Sequence, residues 1–189
     1  MAVRSGRELI AQMDSLQVPP GALALWGLGQ MGLALKGAGP EIVYIDPCLS
    51  AMGAAGELAD KLVRAFPPPV APELVANAAY VLCSHEHGDH ADPQALGPLA
   101  AASPAAQFVI SGWAHGQLDA AGVAPERRIV PRALEPLHLG PLRLTAVPSA
   151  HYQLEQDERG HRWLGFLIEW NGVTFFHGGD TIVYPGYLE

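Results

Sequence analysis

Apolar side chains at Leu9, Ile10, Met13 and Leu16 recur at helical spacing over residues 6–16, and Pro19-Pro20 closes that segment. The period then shortens. Apolar runs at 22–26, 33–36 and 42–45, separated by glycine-rich stretches, read as antiparallel strands. Residues 53–66 have helical character up to Pro67-Pro68-Pro69, where the missing N–H groups stop a helix. A short buried strand is expected at 80–84, followed by a helix at 93–102, a strand at 108–111 and a helix at 113–121. A strand over 142–147 leads to Pro148-Ser149-Ala150-His151. Segments 162–170 and 173–177 flank Asn171-Gly172, a turn pair whose tolerance of positive φ suits a tight hairpin. Hairpins thus alternate with helices, and polar residues gather just after strand ends.

Composition narrows the function more than the fold. The 189 residues are 49% hydrophobic and 16% charged, consistent with one domain, 1–189, around a sizeable core. A net charge of −8 argues against a phosphate-attracting field, so no nucleic-acid partner is expected. Anionic substrates stay open, because a bound divalent cation reverses the local sign. Two cysteines, Cys48 and Cys83, in a chain of this size read as reduced thiols. The N-terminal segment lacks the apolar run of a signal peptide, and no stretch reaches the ~18 apolar residues of a membrane span. A cytoplasmic protein with no membrane partner is the expectation.

Gly27-Leu28-Gly29-Gln30-Met31-Gly32 fits the dinucleotide-binding pattern G-x-G-x-x-G, and Asp46 follows as its acidic residue. A nucleotide site would need a helix of ten or more residues after the glycines. Gly37-Ala38-Gly39-Pro40 breaks any such helix, so the segment is expected to be a turn between two strands. A nicotinamide oxidoreductase is set aside on this ground.

The chemistry concentrates in His85-Glu86-His87-Gly88-Asp89-His90, directly after a strand. In an extended segment residues two apart share a face, so His85 and His87 can approach one ion, and a turn at Gly88 would bring Asp89 and His90 to a neighbouring position. Imidazole and carboxylate suit borderline divalent metals such as zinc, and manganese tolerates them. Glu86, between two of these residues, should point away by alternation and takes no catalytic role.

H-x-H-x-D-H after a strand resembles the signature of the metallo-β-lactamase superfamily. Trp26 with Gly27 and Gly29, Ile45-Asp46-Pro47, the segment 122–127 and Gly179-Asp180-Thr181 resemble the branch that contains L-ascorbate-6-phosphate lactonase. The resemblance implies an α+β fold, the four-layer αββα sandwich, with metals in the cleft at one edge of the two sheets. It implies that His85, His87 and His151 hold one divalent ion, and that Asp89, His90 and Asp180 hold or bridge a second. The cofactor is then one or two ions of zinc or manganese. Ser149-Ala150-His151 and His177-Gly178-Gly179-Asp180-Thr181 match the patterns that carry the later ligands. His115, His138 and His161 match none, and His177 neighbours the site without matching a ligand.

The resemblance further implies hydrolysis of a lactone or ester of a small metabolite, phosphorylated or not, with metal-activated water as attacker and Asp89 orienting it or taking its proton. A phosphodiesterase and a catalytically inactive metal-binding fragment are the alternatives. The superfamily normally supplies another metal histidine well after the bridging aspartate, whereas this sequence stops nine residues past Asp180. The expectation is therefore a sandwich incomplete on its C-terminal side, which partners a copy of itself as a homo-oligomer or a missing C-terminal portion.

Overall fold

Alternation along four short strands places a sheet between two apolar layers, and that arrangement decides where the candidate ligands lie. A computed structural model describes residues 4–51 and 64–187. Most of the helix expected over 53–66 lies outside the described residues.

The first sheet contains β1 (Ala24–Gly29), β2 (Gly32–Lys36), β3 (Val43–Ile45), β4 (Tyr80–Cys83), β5 (Gln107–Ile110) and β6 (Arg128–Ile129), in that spatial order. β1, β2 and β3 are antiparallel neighbours, whereas β3 to β6 are parallel. Ala34, Tyr44, Val81, Cys83, Phe108 and Ile110 face one core. Leu35, Val43, Ile45, Leu82 and Val109, their neighbours in sequence, face the other. This period of two is what a sheet buried on both faces requires.

The helices cover the first face. α1 (Gly6–Ser15) contributes Leu9 and Met13, four residues apart and so on one side of the helix. α2 (Pro93–Ala102) starts at Asp92, whose Oδ1 accepts from the backbone N–H groups of Gln94 and Ala95 and whose Oδ2 accepts from Ser50 N at 2.8 Å. A capped N-terminus with proline at its first position fixes the helix start, and His90 sits two residues before the cap. The helix expected over 113–121 divides into a 3₁₀ turn at Gly112–Ala114 and the short α3 (His115–Ala120).

The second sheet covers the other face. β7 (Pro136–Leu139), β8 (Leu142–Ser149), β11 (Trp163–Trp170) and β12 (Val173–His177) pair antiparallel in the order β12-β11-β8-β7. A small ribbon of β9 (Gln156–Asp157) and β10 (Gly160–His161) lies between β8 and β11 in sequence. Leu142, Leu144, Ala146, Leu164, Phe166, Ile168 and Trp170 fill the space between the sheets. At Gly37 the sheets approach so closely that a Cβ would stand 2.5 Å from the Trp170 ring. The described residues thus form a helical layer, a sheet and a second sheet of a mixed α/β sandwich, and the fold class expected from the sequence is found.

The segment 27–32 is a connection between antiparallel strands. Gly27 pairs with Leu33 and Gly29 with Gly32, Gln30 takes φ 51°, and β2 follows with no helix. Among the described residues no helix is long and apolar enough to cross a membrane.

Candidate metal centre

Strand direction brings distant residues to one edge of the sandwich. β3 and β4 run parallel, so Asp46 and the segment from Ser84 emerge together. β8 and β12 are both antiparallel to β11, so His151 and Asp180 follow strand ends on the same side. Three contacts join the pieces: Leu164 N donates to Ser84 O at 3.0 Å, Ile182 N to Ala150 O at 2.7 Å, and Ala150 N to Thr181 Oγ1 at 3.1 Å.

Two groups of potential donor atoms result, each with its atoms within 4.8 Å of one another: His85, His87, His151 and Asp180 form one, and Asp89, His90 and Asp180 the other. The His85 and His87 ring centroids are 4.5 Å apart, with His151 at 5.8 Å from the first and 5.0 Å from the second. Asp180 faces both groups, with Oδ2 3.4 Å from His151 Nε2 and Oδ1 3.2 Å from His90 Nε2. The structure therefore brings together all six residues singled out in the sequence. His115, His138 and His161 lie in neither group.

Local structure differs from expectation in one respect. The strand ends at Cys83, and a turn in which His87 O accepts from His90 N at 3.0 Å and Ala91 N at 2.8 Å carries Asp89 and His90 round. Gly88 has ordinary φ and open space where a side chain would go, so this turn does not require glycine. Gly179 is the constrained glycine. Its φ is +58°, and a Cβ there would lie 3.2 Å from Leu164 O and from Ser84 Oγ.

Behind the ligand-type residues lies an acid whose role the sequence did not reveal. Asp46 is fully buried with φ 45°, and accepts from Ser84 N at 2.7 Å, Ser84 Oγ at 2.8 Å, His90 Nδ1 at 2.8 Å and His177 Nε2 at 2.8 Å. Burial alone would raise its pKa, but the bonds from His177 and His90 outweigh it and hold the carboxyl well below the usual range. By accepting the hydrogen bond from Nδ1, Asp46 turns His90 Nε2 towards Asp89 and Asp180. The available signal was an aspartate at the end of an apolar strand. In the sequence it stood only as the acid of a rejected glycine pattern and within Ile45-Asp46-Pro47, with no role at the site.

The residues fit a divalent cation. Nitrogen and carboxylate donors converge, and the buried Nε2 of His90 has no aligned hydrogen-bond partner, Asp180 Oδ1 lying close but off the bond direction. Burial, with His90 and His87 alongside, lowers the His85 pKa to about 3 and so keeps its ring neutral, the form in which imidazole ligates. Burial would lower His90 too, but the Asp180 and Asp46 carboxylates push it up to about 10. A cation at this position would replace that proton.

A family model described as a Beta-lactamase superfamily domain matches residues 41–189. Among solved structures, the CmlA diiron beta-hydroxylase of Streptomyces venezuelae is similar with a TM-score of 0.64 and 20% identity over 89% of this chain and 32% of its own. A putative metal-dependent hydrolase of Parabacteroides distasonis gives 0.56 and 17% over 84% and 61%, respectively. The metallo-beta-lactamase fold protein YhfI of Bacillus subtilis gives 0.52 and 17% over 82% and 56%. At these identities the likeness is one of fold, and the chain spans about a third of the first of these structures and less than two thirds of the other two. No curated protein matches.

Proposed function

The chain belongs to the beta-lactamase superfamily, whose domain model covers more than half of it, and on that premise we propose that it is a metal-dependent hydrolase of a lactone or ester of a small metabolite, phosphorylated or not. The observation that carries the reading is Asp180, a single carboxylate shared by two groups of convergent donors. His85, His87 and His151 would hold the first cation, and Asp89 and His90 with Asp180 would hold or bridge to a second. Zinc or manganese suits this set. When bound, the cation supplies Lewis acidity at a carbonyl or phosphoryl oxygen and makes water acidic enough to react near neutral pH.

The protein's own groups do the positioning. Asp46 fixes the ring of His90 through Nδ1, and Ser84 Oγ, 3.0 Å from His85 Nδ1, fixes that of His85. Asp89, 41% exposed, stands at the open side, where its carboxylate orients the attacking water and accepts its proton. The diiron hydroxylase among the similar folds makes metal identity part of the test.

Metal titration of the metal-free chain is expected to fill the three-histidine position first and the Asp89–His90–Asp180 position more weakly. Asp89→Asn should lower hydrolysis by about a hundredfold or more, the scale of a lost general base, while sparing the first ion. Assays on simple lactones and on bis-nitrophenyl phosphate separate esterase from phosphodiesterase chemistry. A metal-loaded chain without hydrolytic activity on either class, or an Asp89→Asn variant within a few-fold of wild type, would overturn the assignment.

A further inference from the structure

Glu86 lies between two candidate ligands and points away from them, into a contact that the chemistry above does not use. Its Oε1 accepts from Arg162 Nε at 2.6 Å and pairs with an Nη of the same guanidinium, also 2.6 Å away, while its Oε2 is buried with no hydrogen-bond partner. Its backbone carbonyl accepts from Gln117 Nε2 at 2.7 Å. Arg162 in turn reaches Glu155, and its guanidinium lies over the rings of Trp113 and Trp163, 4.9 Å from each centroid. Trp163 is buried and meets the His151 ring at 5.9 Å. Arg162 therefore touches, through one intermediate residue on each side, both the segment that carries His85 and His87 and the loop that carries His151.

We infer that Arg162 is a positioning residue of the metal centre, holding the His85–His87 segment and the His151 loop in a fixed relation through Glu86 and Trp163. The inference rests on the metal-site reading above. Three physical features suit Arg162 to the task. The guanidinium is planar and forked, so it can bind a carboxylate and stack on aromatic rings at once. Glu86 is only 15% exposed and Arg162 29%, so the pair is less screened than a surface ion pair and its geometry is defined. The first donor group draws on two sheets that are otherwise separate in sequence, β4 in one and β8 in the other, and its ligand geometry depends on how they are tied.

A purely structural ion pair makes a different prediction, and the two can be separated. Cobalt(II) is titrated into the metal-free full chain, with affinity and visible absorption read beside thermal stability. Arg162→Ala is expected to weaken binding of the first ion by about 10- to 100-fold, the usual effect of losing an outer-shell partner, and to alter the cobalt spectrum. Because that variant leaves Glu86 buried and unpaired, the double variant Glu86→Leu/Arg162→Met removes both charges together and should return stability close to wild type. Cobalt affinity should stay about tenfold or more below wild type in the double variant, with Arg162→Lys between the extremes, since an ammonium keeps the charge and loses the fork. Wild-type affinity in a folded Arg162→Ala, or a double variant that regains affinity along with stability, overturns the inference. If Arg162→Ala does not fold, the double variant decides alone. A wild-type chain that binds no cobalt overturns the metal-centre reading itself, a result distinct from either.

Discussion

His85 and His90 have ring centroids 4.0 Å apart, yet their surroundings drive them in opposite directions. His85, lowered to about 3, binds fewer protons folded than unfolded between that value and the ordinary 6.5, so stability rises with pH across this window. His90, raised to about 10, binds more protons folded than unfolded between 6.5 and 10, so its contribution is complete below 6.5 and is lost as pH climbs towards 10. Asp46 reinforces the acid limb, because a carboxyl held below its ordinary 3.8 contributes stability above that value and loses it as pH falls further. The metal-free chain should therefore be most stable near pH 6–7, between the two windows. Urea unfolding midpoints at pH 5, 6.5 and 9 measure this. An alkaline limb that stays flat to pH 9 would mean that His90 is not held by the two carboxylates.

Among the loops, two glycines beside candidate ligands carry unequal constraints. Gly179→Ala must place a side chain in the left-handed region, at about 1–2 kcal/mol, and must also displace Ser84 or Leu164. It should lower the melting temperature and weaken metal binding through Asp180. Gly88→Ala enters open space at an ordinary φ and should stay within about 0.5 kcal/mol of wild type. Thermal unfolding of the two variants compares them directly, and a greater loss at Gly88 would reverse the assignment. The lesson for reading such loops is that a glycine inside a histidine motif is conspicuous without being necessary. The one that matters is set by a neighbouring strand far away in sequence.

For the molecule as a whole, the two faces of the second sheet are unequal. Its inner face packs into the inter-sheet core, whereas on the outer face Leu167 stands opposite Phe176 on one side and Thr145 on the other, and Phe176 is 42% exposed. Tyr187, its ring centroid 6.4 Å from that of Phe176, is the aromatic neighbour there among the described residues. An edge strand with exposed aromatic surface favours association. Sedimentation over a range of concentrations is expected to show the 189-residue chain self-associating, with Phe176→Ser shifted towards monomer. A wild-type chain that stays monomeric throughout would remove the homo-oligomer expectation.

Features that depend on local period and local chemistry were legible in the amino-acid order. Alternating apolar residues specified most strands, and Gly37, Gly39 and Pro40 excluded a nucleotide-binding helix after the glycine pattern. H-x-H-x-D-H marked the candidate ligands because its donors lie within six residues. β7, which opens on a proline, and the polar β9–β10 ribbon escaped because neither carries a clear apolar period. Which groups stand behind the ligands became visible only in the folded chain. Asp46 meets His177 across 131 residues, and Arg162 meets Glu86 across 76. Such pairs leave no periodic trace in a single chain, since they exist only when strands from two sheets end at the same edge.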